Sequence, residues 1–254
     1  MTARRPDGRI VYVCGSTGSG KSEYVRRQLA GARRVLVWDI DDEYGHLPGF
    51  VRVADPADLV ARLRRLTGPG RLAFVADDLR RFDWFSRVAF AWGQLAPCVA
   101  VAEEIADVTH PGKAPPGWGV LVRRGRKYGI VTYAVTQRPA EADKTALGNA
   151  AVIHVGWLAD AADRATVARK LGVPVARLDA LAPLDWLERD AAGRVTAGRL
   201  TFRTAAPAPG PKAPRRRPPP GSRASDPDRR AAAAASKPAP KPAPAAPAWT
   251  LDDL

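Results

Sequence analysis

The sequence has few cysteines and histidines, the residues that form disulfides and many metal sites. Its 254 residues include two cysteines and three scattered histidines, which argues against a disulfide scaffold and a histidine-based metal site. Its most apolar region, 88–102, contains glycine, glutamine and proline and falls short of the roughly 20 residues that a membrane helix needs. The opening stretch, MTARRPDGRI, has no apolar signal core. The sequence therefore predicts neither a secretory leader nor a transmembrane segment.

Large apolar residues are also scarce towards the end of the chain. Residues 205–254 hold 13 of the 24 prolines and are otherwise mostly Ala, Lys and Arg. Such a segment has too little to bury to fold by itself. We expect a folded domain over 1–204 and a disordered tail over 205–254. The tail either holds DNA by charge, docks on a partner such as a capsid or vertex protein through its acidic-aromatic end AWTLDDL, or simply solvates the domain.

Positive charge is in excess throughout. The formal net charge is +14, and both the domain and the tail are basic. This balance suits a polyanionic partner. A genome rich in G and C would also favour arginine codons, so charge alone does not decide the function.

Strand-like and helix-like segments alternate along the first 204 residues. Continuous apolar strands alternating with helices predict an α/β fold with a central, mainly parallel sheet covered on both faces. Two short segments around 190–193 predict a closing hairpin. The predicted strands are 9–14, 34–39, 50–54, 71–76, 98–102, 129–136 and 151–156. The predicted helices are 20–31, 56–66, 79–94, 117–128, 141–149 and 160–171.

A glycine-rich stretch, CGSTGSGKS, separates the first strand from the first helix. Its spacing is that of a phosphate-binding loop, whose backbone N–H groups converge on phosphate oxygens at a helix N-terminus. Lys21 is expected to reach the β- and γ-phosphates, and the Ser22 hydroxyl to ligate Mg²⁺. The predicted nucleotide-binding residues are Gly15, Ser16, Thr17, Gly18, Ser19, Gly20, Lys21 and Ser22.

Two adjacent carboxylates follow the strand VAVA. A strand emerging beside the phosphates would deliver Glu103 to the Mg²⁺ sphere and Glu104 to the attacking water, because α/β sheets bind ligands at the carboxyl ends of their strands. Most phosphate-loop ATPases have Asp at the first of these positions, so Glu103 departs from the pattern. Asp77 and Asp78 are a rival pair, less favoured because two arginines follow them directly.

Polar residues also end the strand GIVTYAV, in the sequence TQRP. If this strand lies between the glycine-loop strand and the Glu strand, Gln137 falls beside the γ-phosphate and the catalytic water. The alternative is a polar loop start ended by proline. The same order would place Cys14 and Cys98 two strands apart, about 10 Å, beyond disulfide reach.

Four elements in order carry a family resemblance: GSTGSGKS, VLVWDIDDEYG, VAVAEEI and RRGRKYGIVTYAVTQRPAEADKTALGNAAVIHVG. Together they resemble the FtsK–HerA superfamily of ring-forming DNA-pumping ATPases, most closely the viral genome-packaging ATPases of tectivirus-type phages with internal membranes. The resemblance implies a RecA-like P-loop NTPase of the additional-strand type with central strand order 5-1-4-3-2. It covers roughly residues 9–203.

The resemblance also implies that an arginine from an adjacent subunit completes each site. The candidates are Arg123, Arg124 and Arg126 in the helix before the TQRP strand, with Arg138 as a further one; Arg124 and Arg126 are the ones we assign. The alternative for each is a solvated or DNA-facing basic helix. The acidic pattern after the second strand, from Asp39 to Glu43, either touches the nucleotide or a subunit interface, or caps the next turn.

The motifs thus predict an ATP- and Mg²⁺-dependent DNA translocase that packages a viral genome into a preformed capsid. It would act as a pentameric or hexameric ring on DNA, in the host cytoplasm or at a virion vertex. The alternatives are a zonula-occludens-toxin-like filamentous-phage assembly ATPase and, from another class, a P-loop small-molecule kinase. A GTPase is disfavoured because the sequence has no N-K-x-D motif. A structural nucleic-acid binder would leave the glycine loop without a role.

Overall fold

A computed structural model describes residues 8–66, 68–201 and 251. Within these residues the chain forms one nine-stranded sheet flanked by helices. The strands are β1 (Arg9–Cys14), β2 (Arg34–Trp38), β3 (Val51–Val53), β4 (Gly70–Phe74), β5 (Val99–Ala102), β6 (Val131–Thr136), β7 (Val152–Gly156), β8 (Asp185–Arg189) and β9 (Val195–Arg199).

Eight α-helices are found in the described part of the chain, with one 3₁₀ turn at Gly125–Tyr128. Two short helices, the fourth and the eighth, were not anticipated from the sequence. The helices are α1 (Lys21–Gln28), α2 (Pro56–Arg65), α3 (Leu79–Leu95), α4 (Ile105–Val108), α5 (Pro116–Arg124), α6 (Lys144–Asn149), α7 (Ala161–Leu171) and α8 (Ala176–Asp179).

The strand order is β3-β4-β2-β5-β6-β1-β7-β8-β9. Strands β1 to β7 pair in parallel, and β8 and β9 add antiparallel at one edge. The α/β fold class is confirmed. The five central strands β7-β1-β6-β5-β2 follow the expected 5-1-4-3-2 arrangement, and the full sheet differs in detail because β4 and β3 extend one edge and the hairpin extends the other.

The sheet has a separate apolar core on each face because successive strand residues point to opposite sides. Along β1, Ile10, Tyr12 and Cys14 belong to the core under α2, α3 and α5. Val11 and Val13 belong to the core under α1. The near-continuous burial of the parallel strands is what a sheet covered on both faces requires.

An aromatic cluster fills the larger core between the sheet and α3. Trp38 is fully buried and lies with its ring centroid 5.3 Å from that of Phe82 and 5.6 Å from that of Phe85. Trp118 on α5 continues the cluster at 5.3 Å from Phe82. Such edge-on and tilted pairs add to the apolar burial that holds α3 and α5 on the sheet.

Asp55 caps α2 by accepting a hydrogen bond from the Asp58 N–H, with Pro56 in the first turn. The expected separation of the two cysteines is confirmed. Cys14 and Cys98 are buried free thiols, and β6 separates their strands β1 and β5. The predicted disordered tail at 205–254 lies outside the described residues apart from Leu251, so the division into domain and tail stays a prediction.

Candidate active site

The glycine loop, residues 15–22, joins the carboxyl end of β1 to the start of α1. Neighbouring strands anchor its first part: Gly15 donates its N–H to the Thr136 carbonyl, 3.3 Å away, and Ser16 donates to the Trp157 carbonyl at 2.8 Å. Gly20 precedes α1 with φ 94°, a left-handed conformation that glycine adopts without steric cost. The loop therefore directs the first N–H groups of α1, which have no partners within the helix, towards a cleft.

This cleft has a volume of about 240 Å³ and opens at the carboxyl ends of the central strands. The loop, the end of β5 and the end of β6 all contribute to it, as the order β5-β6-β1 requires. A further wall comes from the segment after β2. The lining residues are Thr17, Gly18, Gly20, Lys21, Ser22, Glu23, Asp39, Asp41, Glu43, Tyr44, Glu103, Glu104 and Gln137.

Glu104 lies between the glycine loop and the end of β6. Its Oε1 is 3.9 Å from the Lys21 Nζ, and its Oε2 accepts a hydrogen bond from the backbone N–H of Gln137 at 3.0 Å. The Gln137 side chain in turn accepts a hydrogen bond from the Thr17 hydroxyl at 2.7 Å. Three separate segments are thus connected through one carboxylate and one amide.

Burial shapes the protonation of this group of residues. It raises the pKa of Glu104, while Lys21 and the Gln137 N–H oppose the rise. Burial likewise lowers the pKa of Lys21, and Glu104 and Glu103 oppose the fall. The cleft thus disfavours both charges, and their attraction across 3.9 Å offsets only part of that cost.

Glu104 also has an uncommon backbone conformation. Its φ of 45° and ψ of 54° are left-handed, which costs a non-glycine residue on the order of 1 kcal/mol. The turn directs the carboxylate into the cleft immediately before α4 begins. Strain of this kind persists where the surrounding structure over-determines it, here through Gln137 and Lys21.

Glu103 is buried more deeply than its neighbour and is held by Tyr44. The Tyr44 hydroxyl donates a hydrogen bond to Glu103 Oε1, and burial raises the pKa of Glu103 to about 8. Asp39 caps the intervening turn by accepting hydrogen bonds from the N–H groups of Glu43, Tyr44 and Gly45. The capping interpretation of Asp39 is confirmed, and it explains how Tyr44 is brought to the site.

The rival acidic pair lies away from the cleft. Asp78 caps α3 by accepting a hydrogen bond from the Arg81 N–H at 2.8 Å. The preceding strand, β4, is separated from β1 by β2, β5 and β6, a distance of about 19 Å at ordinary strand spacing. Asp77 and Asp78 therefore do not join the glycine loop.

The arginine candidates occupy two different places. Arg124 and Arg126 are exposed at the end of α5 and in the 3₁₀ turn, which precedes β6. They lie at the amino end of the parallel strands, about 20 Å from the glycine loop by strand length. Arg138 pairs with buried Asp163 at 2.8 Å and with Glu141. Neither Arg124 nor Arg126 can reach the cleft of its own chain, so their assignment as residues acting in trans stays a prediction.

Sequence reasoning missed the contribution of Tyr44. The residue is 1% exposed, so by burial alone it is indistinguishable from an ordinary core aromatic. Its hydrogen bond to Glu103 is visible only once the segment after β2 folds over the end of β5. The signal that could have indicated it is the short spacing from Asp39, the residue that caps the turn.

No helix in the described part of the chain is long and apolar enough to cross a membrane. The same residues contain no group of three or more His, Cys, Asp and Glu side chains arranged to hold a metal ion. A Mg²⁺ site does not require such a group, because one or two carboxylates complete it together with nucleotide phosphates and water.

Comparison with known proteins places this geometry in a class. No family model matches the sequence. The central sheet order and the glycine loop define a P-loop NTPase. The structure of the genome-packaging NTPase B204 from Sulfolobus turreted icosahedral virus 2, in complex with AMPPCP, has a TM-score of 0.65 to this chain. It is 14% identical, with 78% of this chain and 100% of that chain covered.

Two further relatives are more distant in structure or shorter in match. VirB4 of Thermoanaerobacter pseudethanolicus has a TM-score of 0.51 at 10% identity, covering 77% of this chain and 90% of that chain. Protein P9 of Pseudoalteromonas phage PM2 is 43% identical over 137 residues, 52% of this chain and 61% of that protein, so the match spans less than two thirds of the relative. The chain therefore shares the fold of B204, and the predicted resemblance is confirmed at the level of the fold.

Proposed function

We propose that this chain is an ATP-hydrolysing motor that packages a viral genome. The observation that carries the proposal is the position of Glu104. Its carboxylate faces Lys21 of the glycine loop and accepts a hydrogen bond from the backbone N–H of Gln137, the residue after β6. A protein that only bound nucleotide would have no need of a strained, partly buried carboxylate beside Lys21. The fold shared with B204, a genome-packaging NTPase, supports the same function.

The glycine loop would bind the triphosphate. Its backbone N–H groups and the N-terminus of α1 suit phosphate oxygens, and Lys21 would contact the β- and γ-phosphates. The donor set also fits Mg²⁺: the Ser22 hydroxyl and the Glu103 carboxylate both line the cleft and are hard oxygen ligands. When bound, Mg²⁺ would neutralise phosphate charge and orient the triphosphate.

Glu104 would act as the base that orients and deprotonates the attacking water. Its burial raises its pKa, which makes the ionised form a stronger base. Gln137 would sense the γ-phosphate, because its backbone holds Glu104 while its side chain is bonded to Thr17 of the loop. If nucleotide binding displaces the Thr17 hydrogen bond, the resulting movement of Gln137 would change the position of Glu104.

Coupling to DNA would need a ring. Arg124 or Arg126 would be supplied to the site of an adjacent subunit, because both are exposed and far from the cleft of their own chain. An arginine acting in trans stabilises transition-state charge and links hydrolysis to the movement of a neighbour. The net charge of +14 suits a DNA substrate. Capsid or vertex proteins would be the remaining partners, in the host cytoplasm or at the virion vertex.

The test is ATP hydrolysis with and without long duplex DNA, in the same full chain. We expect DNA to stimulate turnover, and Lys21→Ala to abolish nucleotide binding or turnover. Glu104→Gln should retain ATP binding and lose hydrolysis by about 10²- to 10⁴-fold, the usual contribution of a general base. Glu141→Gln is the matched control, since it makes the same change at an exposed carboxylate outside the cleft.

Each alternative predicts a different result. A small-molecule kinase would show little hydrolysis in water and no response to DNA, and a structural binder would show no turnover. A filamentous-phage assembly ATPase would hydrolyse ATP but fail to package DNA into procapsids in a reconstituted assay. Normal turnover by Glu104→Gln would refute the catalytic assignment.

A further inference from the structure

Leu251 is seated on the folded domain although it lies far along the chain from it. Its side chain is 7% exposed and belongs to the larger apolar core, with Leu59 and Leu63 of α2. Its carbonyl accepts a hydrogen bond from Arg64 Nη2 at 2.8 Å. Leu251, which follows a proline-rich stretch, is thus buried with the larger core and hydrogen-bonded to α2.

The residues that follow Leu251 in the sequence are opposite in charge to the surface of α2. The last turn of α2 carries Arg62, Arg64 and Arg65, and Leu251 is followed in sequence by Asp252 and Asp253. Nearby opposite charges favour association without requiring fixed pairs. A leucine followed by two aspartates suits an apolar pocket with a basic rim.

The domain ends on the other face of the sheet. Thr201 accepts a hydrogen bond from Arg27 of α1 at 2.6 Å, and α1 covers the core that contains Val25 and Leu29. Leu251 belongs to the opposite core. Thr201 and Leu251 therefore lie on opposite faces of the sheet.

The length of that connection is sufficient. A coil of about 50 residues has a root-mean-square span of roughly 40 Å, comparable with the diameter of roughly 40 Å expected for a domain of this size. The number of residues between Thr201 and Leu251 is thus enough to join the two positions. Attachment to the same chain also gives the segment an effective concentration near the millimolar range.

We propose that the surface beside α2 is a docking site for the chain's own C-terminal segment, centred on Leu251. Docking would attach both ends of the intervening stretch, 202–250, to the domain; by composition this stretch is basic, with ten Lys and Arg and two Asp. The assignment is independent of the enzymatic function. It also differs from the sequence-based expectation that AWTLDDL binds another protein, because the segment already has a site on its own chain.

Hydrogen exchange of the full chain tests the proposal. Leu251→Asp should speed exchange of the α2 amides by about tenfold while β1 and β6 keep their protection, because docking is a local interaction. Ala245→Asp is the control for charge in the same tail, and Leu251→Met should retain protection. Unchanged α2 exchange in Leu251→Asp would overturn the docking site, and faster exchange throughout the sheet would make Leu251 an ordinary core residue instead.

A dilution series identifies the source of the segment. We expect α2 protection in the unaltered chain to be the same over a hundredfold range of protein concentration. Loss of protection on dilution would show that a second copy supplies the segment and would overturn its assignment to the same chain. A synthetic AAPAWTLDDL peptide, residues 245–254, at millimolar concentration should restore protection to Leu251→Asp; failure to do so would contradict recognition of this sequence by the α2 surface.

Discussion

Replacing Glu103 by glutamine should stabilise the nucleotide-free protein at alkaline pH. Glu103 is buried beside Glu104, and burial raises its pKa from the ordinary 4.5 to about 8. Glutamine has nearly the shape of the protonated carboxyl and retains an oxygen that accepts the Tyr44 hydrogen bond. The substitution therefore removes a buried titrating group without opening a cavity.

The direction of the pH dependence follows from the raised pKa. Between pH 4.5 and 8 the folded state keeps the Glu103 proton that the unfolded state has released, so the free energy of unfolding falls as the pH rises. The full shift corresponds to roughly 5 kcal/mol, because each pH unit is worth about 1.4 kcal/mol. For a chain of this size that is on the order of 10 °C in unfolding temperature.

Thermal unfolding at pH 5 and pH 8.5, without nucleotide or Mg²⁺, measures the effect. We expect the free energy of unfolding of Glu103→Gln to exceed that of the unaltered protein by several kcal/mol at pH 8.5. At pH 5 the difference should be less than about 1 kcal/mol. Glu141→Gln, the same substitution at an exposed carboxylate, is the matched control. Equal unfolding temperatures of Glu103→Gln and the unaltered protein at both pH values would refute the argument from burial.

Three further predictions concern single side chains. Tyr44→Phe removes the donor to Glu103 and should weaken Mg²⁺ binding in the presence of ATP by about tenfold, measured by calorimetry, whereas unchanged affinity would leave Tyr44 without a positioning role. Burial lowers the pKa of His154, so protonation below pH 6.5 should favour unfolding; His154→Gln should flatten the fall in unfolding temperature between pH 6.5 and 5. Trp38→Leu should cost about 2–4 kcal/mol in urea unfolding because it opens a gap in the aromatic cluster.

The strand pattern and the glycine loop could be predicted because local sequence determines them. Continuous apolar runs define buried parallel strands, and the spacing from Gly15 to Ser22 defines a phosphate-binding turn. The position of Gln137 followed from strand order: β6 pairs with both β1 and β5, so the end of β6 must lie between the loop and Glu104. The strand order therefore brings the glycine loop, Glu104 and Gln137 together in one site.

The remaining features depend on contacts between distant segments. Tyr44 reaches Glu103 because Asp39 caps a turn that folds over β5. The spacing of apolar residues along the sequence does not indicate that this segment lies over β5. The left-handed conformation of Glu104 is equally absent from the pattern, because glutamate has no preference for it. Leu251 escaped prediction because the composition around it indicates disorder, while a single apolar side chain is enough to occupy a pocket.

One consequence concerns Tyr24, which lies on α1 three residues after Lys21. Its hydroxyl donates to Glu188 of β8 at 2.8 Å, and its ring stacks on His154 of β7 with centroids 3.7 Å apart. Helix α1 is thereby fastened to the hairpin from which the chain departs at Thr201, itself bonded to Arg27 of the same helix. Helix α1 is thus coupled mechanically to the hairpin. A displacement of its N-terminus on nucleotide binding would be transmitted to Thr201, at the opposite edge of the sheet from β3.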